Sequence, residues 1–108
     1  MQRVYRWQSD DGIGLEHLNL QHRDDIIVAE GVVIGADDNT PYGCSYRICC
    51  DSRWRVRAVE VHTAGGESRV LTTDGGGSWR DGDGLDLPEL AGCIDVDISA
   101  TPFTNTLP

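Results

Sequence analysis

Short segments in which apolar and polar residues alternate dominate this sequence, and they constrain its fold more than any other feature. In the segment 94–98, Ile-Asp-Val-Asp-Ile, three aliphatic side chains would face one side of a strand and two carboxyl groups the other. Comparable segments at 15–20, 26–34, 44–51, 54–62 and 68–73 are separated by clusters rich in Gly, Asn and Asp. Because no segment keeps a 3.6-residue period, the pattern predicts an all-β fold, mainly antiparallel sheet with little helix.

Irregularities within these segments refine the prediction. Gly31 interrupts the longest apolar segment, which is typical of a bulge or bend. A later segment changes phase near Ala58, which indicates either a second bulge or a strand buried on both faces. The residues 35–43 have the composition of a loop, and 74–84 that of a hairpin followed by a connector. We therefore expect a meandering sheet in a single domain over residues 1–108.

The charge balance limits the partners that we expect. The 108 residues include 18 acidic and nine basic side chains, giving a net charge of −9, and every basic residue is Arg. A field of that sign repels polyanions, so we expect neither nucleic acid nor a bare anionic membrane surface as a partner. The first eight residues lack the apolar core of a secretory signal, and no run approaches the ~18 apolar residues of a membrane span. The expectation is a cytoplasmic protein without a transmembrane segment.

Residues that could carry catalysis or bind metal are present without the required spacing. Four cysteines include the adjacent Cys49 and Cys50, which would point to opposite faces of a strand, and no C-x-x-C pair occurs. We interpret the cysteines as small buried side chains. The three histidines lack a metal-ligand spacing, and the acidic segment 81–86 does not fit a calcium loop. No G-x-S-x-G motif marks a nucleophile. The sequence thus predicts no metal, no cofactor and no catalytic residue.

Asp95 and Asp97 are predicted to project from one face of the last strand, about 7 Å apart at a rise of ~3.3–3.4 Å per residue. Two carboxyl groups at that separation could hydrogen-bond sugar hydroxyls, act as an acid/base pair or flank a metal ion. They could equally form a solvated outer face, or pair across strands with Arg47, Arg55 or Arg57. Hydroxyl recognition is the functional hypothesis for this pair.

Two further groups are candidates for ligand contact. An amphipathic ligand needs an apolar wall with a few polar groups, and Trp54 lies between Arg53 and Arg55. The alternative is that Trp54 belongs to the core, because the chain has only three Trp, three Tyr and one Phe. Glu16 and His17 form a second candidate, as a polar pair in a cleft.

The last 19 residues, 90–108, read Leu-Ala-Gly-Cys-Ile-Asp-Val-Asp-Ile-Ser-Ala-Thr-Pro-Phe-Thr-Asn-Thr-Leu-Pro. From the Gly-Cys pair onward this string resembles, nearly residue for residue, the signature of a bacterial family known as putative glycolipid-binding proteins. Trp7, the segment 14–17, the turn 51–55 and the hairpin 74–79 follow in the order familiar from that family. The resemblance implies a strongly curved antiparallel sheet, a roll or partial barrel. Since family members continue beyond this string, we expect the chain to lack the family's C-terminal part.

Together, these observations favour a non-catalytic binding module for an amphipathic, glycolipid- or lipid-like small molecule held in the curved sheet. The predicted ligand-binding residues are Glu16, His17, Trp54, Arg55, Asp95, Asp97, Phe103 and Asn105. The alternative is a structural protein without a ligand, whose incomplete sheet is completed by homo-oligomerisation through residues 101–108. A hydrolase of unknown type is the least favoured hypothesis.

Overall fold

The computed structural model describes residues 2–37 and 39–93, with the backbone alone described at residue 37. Seven strands each pair antiparallel with the next one along the chain. They are β1 (Gln2–Gln8), β2 (Leu15–Arg23), β3 (Ile26–Asp37), β4 (Thr40–Asp51), β5 (Val56–Thr63), β6 (Ser68–Thr73) and β7 (Trp79–Asp81). A 3₁₀ turn, Pro88–Leu90, follows β7. The predicted all-β class with little helix is confirmed.

The sheet is curved but open. In the described part of the chain β1 and β7 are the two edges and do not pair, so the structure is a partial roll rather than a closed barrel. The pairing of β4 with β5 shifts register between Cys49 and Cys50, which lie opposite Ala58 and Val56. The phase change near Ala58 had two interpretations, and this shift supports a bulge rather than a strand buried on both faces. None of the described helical structure is long and apolar enough to cross a membrane.

The hairpin between β3 and β4 differs from its prediction. Residues 35–43 were expected to be a loop, but both strands continue into them and Gly35 pairs with Tyr42. Gly31 is not at a bulge either, because the register of β3 with both neighbours is continuous there. A Cβ atom on Gly31 would lie 2.3 Å from the ring of Tyr46. The glycine therefore provides space for a cross-strand ring rather than a bend.

One face of the sheet carries the core. Directly paired residues of an antiparallel sheet share a face, so odd residues of β3 and even residues of β2 and β4 point to the same side. That inner face holds the buried cluster of Leu18, Ile27, Ala29, Val33, Tyr46, Ile48, Cys50, Val56, Val59 and Trp79. All four cysteines are free, and of these only Cys50 is fully buried. The other face leaves apolar side chains such as Val32 and Ile34 exposed.

Candidate functional site

Glu16 is a buried acidic residue on the inner face, with only 3% of its surface exposed. The hydroxyl of Tyr46 donates a 2.5 Å hydrogen bond to its Oε2 atom. Its Oε1 atom is also buried and has no hydrogen-bond partner among the described residues. A buried acceptor left unsatisfied costs about 1–3 kcal/mol, so a group of this kind calls for a functional or structural explanation.

Two tyrosine–glycine pairs build the surroundings of Glu16. Tyr46 lies opposite Gly31 and Tyr42 opposite Gly35 in the β3–β4 hairpin. A Cβ atom on Gly31 or Gly35 would come within 2.3 Å or 2.7 Å of the facing tyrosine side chain, so each ring lies across its glycine. By crossing β3 in this way, the Tyr46 hydroxyl reaches Glu16 on β2.

A cavity of about 300 Å³ opens beside Glu16, where the β1–β2 hairpin meets the ends of β3 and β4. Its lining includes Trp7, Ile13, Leu15, Glu16, Ile34 and Tyr42. The Trp7 ring also stacks on Tyr5, with ring centroids 6.2 Å apart and planes inclined by 21°. The volume lies at the lower end of the range for small-molecule sites, which are mostly apolar with a few convergent polar groups.

The charged groups of this cavity are the carboxyl groups of Asp11 and Glu16. At its mouth, hydrogen bonds from the Ser9 hydroxyl and the Ile13 backbone hold the pKa of Asp11 below its usual value. Burial raises the pKa of the Cys44 thiol, and the nearby carboxyl group of Glu16 adds to that effect. None of the described residues that line the cavity is basic. The arrangement therefore suits a ligand that donates hydrogen bonds.

The predicted pairing of Glu16 with His17 is not formed. The two residues are adjacent in β2 and so point to opposite faces of the sheet. His17 lies on the outer face, where its Nδ1 atom accepts a 2.9 Å hydrogen bond from Nε of Arg6. Strand geometry alone separates the two side chains, and only Glu16 belongs to the cavity.

Trp54 and Arg55 lie at the other end of the sheet. The Trp54 ring meets His22 edge to face, with centroids 5.9 Å apart. Since His22 follows Glu16 by six positions in β2, Trp54 is on the order of 20 Å from the cavity. Arg55 donates to Oδ2 of Asp51 at 2.7 Å. The structure therefore does not bring this pair together with Glu16.

The backbone of Trp54 is in an unusual conformation for its residue type. Four turns share a pattern in which the first residue's N–H donates to the fifth residue's carbonyl, as from Asp51 to Arg55. The residue at the fourth position of each turn has a positive φ. In three of the turns this residue is a glycine, namely Gly66, Gly77 or Gly84, whereas in the turn that begins at Asp51 it is Trp54, with a φ of 64°. The packing of its ring against the core thus holds a bulky residue where glycine is the ordinary choice.

The remaining predicted site residues are Asp95, Asp97, Phe103 and Asn105, and they lie outside the described residues. All three arginines proposed as partners for the aspartates have other contacts, and that of Arg55 is with Asp51. Arg47 lies 3.5 Å from a carboxyl oxygen of Glu30, and Arg57 donates to the backbone carbonyl of Thr73 at 3.0 Å.

Two other cavities lie near β7. One, of about 590 Å³, is lined by Trp79, Asp86 and Leu87, and one of about 160 Å³ by Arg55, Trp79 and Cys93. The indole N–H of Trp79 donates to the carbonyl of Cys93 at 2.7 Å, so its polar atom is satisfied. We place the candidate site at Glu16 instead, because a buried acceptor there lacks a hydrogen-bond partner in the part of the chain that the structure describes. Within residues 2–37 and 39–93, no group of three His, Cys, Asp or Glu side chains could hold a metal ion.

Comparison with known proteins agrees with this architecture. A crystal structure of a DUF1089 family protein from Pseudomonas aeruginosa is similar, with 37% sequence identity and a TM-score of 0.73. The match covers 94% of this chain but only 55% of that one, so the chain spans about half the length of its solved relative. No curated protein matches. The family model described as "Putative glycolipid-binding" matches residues 4–108, and the chain belongs to that family.

Proposed function

We propose that this protein is a non-catalytic binding module for an amphipathic, glycolipid-like molecule, and that the Trp7–Glu16–Tyr42 cavity receives the polar end of that ligand. The observation that carries the proposal is the buried Oε1 atom of Glu16. Glu16 lines a cavity that also contains aromatic rings, and this oxygen has no hydrogen-bond partner among the described residues.

The chemistry of the cavity supports an amphipathic ligand. Its inner part combines two aromatic rings with one buried carboxyl group. Its lining also includes Ile13 of the β1–β2 hairpin, an exposed aliphatic side chain. An exposed apolar side chain can contact the apolar tail of an amphipathic molecule, and a small polar recess can bind its hydrogen-bonding head. Family membership supports the same ligand class. Asp95, Asp97, Phe103 and Asn105 stay predicted contacts.

Mass spectrometry of the untreated protein tests this proposal. The protein should be purified without detergent and examined under native conditions, and its organic extract should be analysed for lipids. We expect an added mass that disappears after extraction, and its occupancy should fall in a Trp7→Ala/Tyr42→Ala variant. A bare polypeptide mass in repeated preparations, with an extract free of amphiphiles, would contradict the proposal.

A second candidate function, self-association through a sheet edge, is favoured by the exposure of β1. All seven residues of β1 are exposed, and in the described part of the chain it pairs with β2 alone. Its only charged residues are Arg3 and Arg6, in a chain with a net charge of −9. If two copies paired antiparallel about Tyr5, each Arg3 would lie opposite the Trp7 of the other copy.

Two lysine substitutions test this second candidate. Val4 and Val32 are similarly exposed valines on the outer face, at 52% and 53%, but only Val4 belongs to the edge strand. If β1 pairs two copies, Val4→Lys should weaken the dimer in light scattering while Val32→Lys leaves it intact. A monomer at high micromolar concentration for the unmodified protein would dismiss the candidate.

A further inference from the structure

Glu16 is a buried polar residue that has an unsatisfied oxygen and also lines a cavity. Among the described side chains, the buried oxygens without a hydrogen-bond partner are Oε1 of Glu16 and Oδ1 of Asn19. Asn19 lies on the outer face of β2 and is not part of the cavity lining. Of these two residues, only Glu16 places an unsatisfied acceptor beside a space that a ligand could occupy.

A hydroxyl group is the chemical partner that this oxygen would take. A carboxyl oxygen that accepts from O–H forms one of the stronger hydrogen bonds in proteins, especially in an apolar setting. The Tyr46 hydroxyl already occupies Oε2, which fixes the orientation of the group and leaves Oε1 for a second donor. A donor from the ligand would remove the cost of the unsatisfied acceptor.

The rings beside Glu16 suit the apolar face of a sugar. Trp7 and Tyr42 line the cavity and are 36% and 37% exposed. Flat aromatic faces of this kind can pack against the C–H surface of a pyranose ring. Because Oε1 is almost inaccessible, a neighbouring side chain must move to admit a hydroxyl. Trp7 lies directly opposite Glu16 on the edge strand, where β2 is its only described neighbour.

The electrostatics of the cavity exclude an anionic head. Asp11 and Glu16 are its charged residues in the described lining, and both are acidic. The whole chain adds a net charge of −9. A phosphate or sulfate head would meet like charge without a cation to compensate for it.

We propose that Oε1 of Glu16 accepts a hydrogen bond from a hydroxyl of a neutral sugar headgroup, which packs between Trp7 and Tyr42 while Ile13 contacts the start of its alkyl chain. This inference rests on the proposed function, since it assigns a headgroup class to that same cavity. It makes Glu16 the residue that distinguishes neutral glycolipids from other amphiphiles.

Three probes with one tail separate this inference from the general function. Octyl β-glucoside, octyl sulfate and 1-octanol share an eight-carbon chain and differ in their heads. Each is titrated below its micelle concentration and followed by isothermal titration calorimetry, which needs no tryptophan in the cavity. The variant Glu16→Gln keeps the shape but loses the charge, and Glu67→Gln makes the same change at an exposed turn far along the chain. Trp7→Leu removes the aromatic face without changing charge.

We expect octyl β-glucoside to bind the unmodified protein about tenfold more tightly than either other probe, which corresponds to one charge-assisted hydrogen bond. That preference should fall below about threefold in Glu16→Gln and in Trp7→Leu, and should be unchanged in Glu67→Gln. Equal binding of all three probes, or a preference that survives Glu16→Gln in a variant with unchanged circular dichroism, overturns the inference and leaves the proposed function standing. Binding of none of the probes contradicts both.

Discussion

The hydroxyl of Tyr46 and the Oε2 atom of Glu16, 30 residues apart in the chain, are joined by a 2.5 Å hydrogen bond that spans strand β3. The bond is possible because Gly31 has no side chain between them. It holds a carboxyl group inside an otherwise apolar face and orients it toward the cavity. The geometry of the site thus depends on the register of the three strands β2, β3 and β4, which carry Glu16, Gly31 and Tyr46.

Tyr46→Phe should destabilise the protein. The substitution removes the donor to Oε2 and leaves both oxygens of a buried carboxyl group without a partner among the described residues. We expect a loss of about 1–3 kcal/mol in the free energy of unfolding, measured by urea denaturation. Tyr42→Phe is the matched control, because Tyr42 is more than a third exposed and should change stability much less. Equal effects of the two substitutions would contradict the assigned role of Tyr46.

Gly31→Ala should cost more than Gly43→Ala. Both glycines lie inside paired strands, but a Cβ atom on Gly31 would meet the Tyr46 ring at 2.3 Å, whereas on Gly43 the nearest atom is 3.8 Å away. Forcing atoms into a packed site typically costs 1–3 kcal/mol, so we expect a loss of about that size for Gly31→Ala and almost none for Gly43→Ala. Thermal unfolding measures both, and similar melting temperatures would mean that Tyr46 does not lie across Gly31.

Trp54→Gly should be more stable than Trp54→Ala, reversing the usual order of these two residues in folded proteins. Both substitutions remove the ring, and they differ in how readily the new residue adopts the φ of 64° observed at this position. We expect glycine to be favoured by about 1 kcal/mol. Chemical denaturation of the two variants isolates the backbone contribution, and a more stable alanine variant would show that the turn does not require a positive φ.

Asp74 should make part of the stability depend on acid pH. Backbone hydrogen bonds from Gly76 and Ser78 hold the pKa of Asp74 below its usual value of 3.8 in the folded state. The unfolded chain therefore binds the proton more readily, and the stabilisation is complete above about pH 4 and is lost as the pH falls through the folded-state pKa. Asp74→Asn should be less stable than the unmodified protein at pH 7 and should approach it at low pH.

Denaturation midpoints between pH 2 and pH 7 check that prediction. Asp83→Asn, at the exposed tip of the next turn, provides the control. If the difference between Asp74→Asn and the unmodified protein were the same at every pH, the hydrogen bonds to the Asp74 carboxyl group would not be the cause.

Strands were predicted better where apolar and polar residues alternate clearly in the sequence than where the strand forms mainly because a neighbouring strand pairs with it. The strand 68–73 was predicted correctly, and the bulge near Ala58 was one of two interpretations of the phase change there, because alternation and its interruption are local signals. β1 was missed because it is exposed on both faces, and β7 because it is only three residues long. The extension of the β3–β4 hairpin into its predicted loop results from cross-strand pairing, which overrides the turn composition of residues 35–43.

The candidate site was only partly predictable. Glu16 was among the predicted contacts, but its partner was sought at the neighbouring His17, although neighbours in a strand face opposite ways. A usable signal was present: the positions of Gly31 and Gly35 mirror those of Tyr46 and Tyr42 about the midpoint of the segment 31–46. Two glycines matched to two tyrosines across one hairpin predict rings that lie over the opposite strand. That the Tyr46 hydroxyl then reaches β2 follows only from the three-strand register.

The most direct test of the central claim is to map where an amphiphile binds. Backbone amide spectra of isotope-labelled protein should be recorded by NMR while octyl β-glucoside is added below its micelle concentration. We predict shifts concentrated at residues 7–16, 33–36 and 42, which surround the cavity. Shifts centred on Trp79 and Leu87, or no saturable shifts at any amide, would contradict the assignment of this cavity as the binding site.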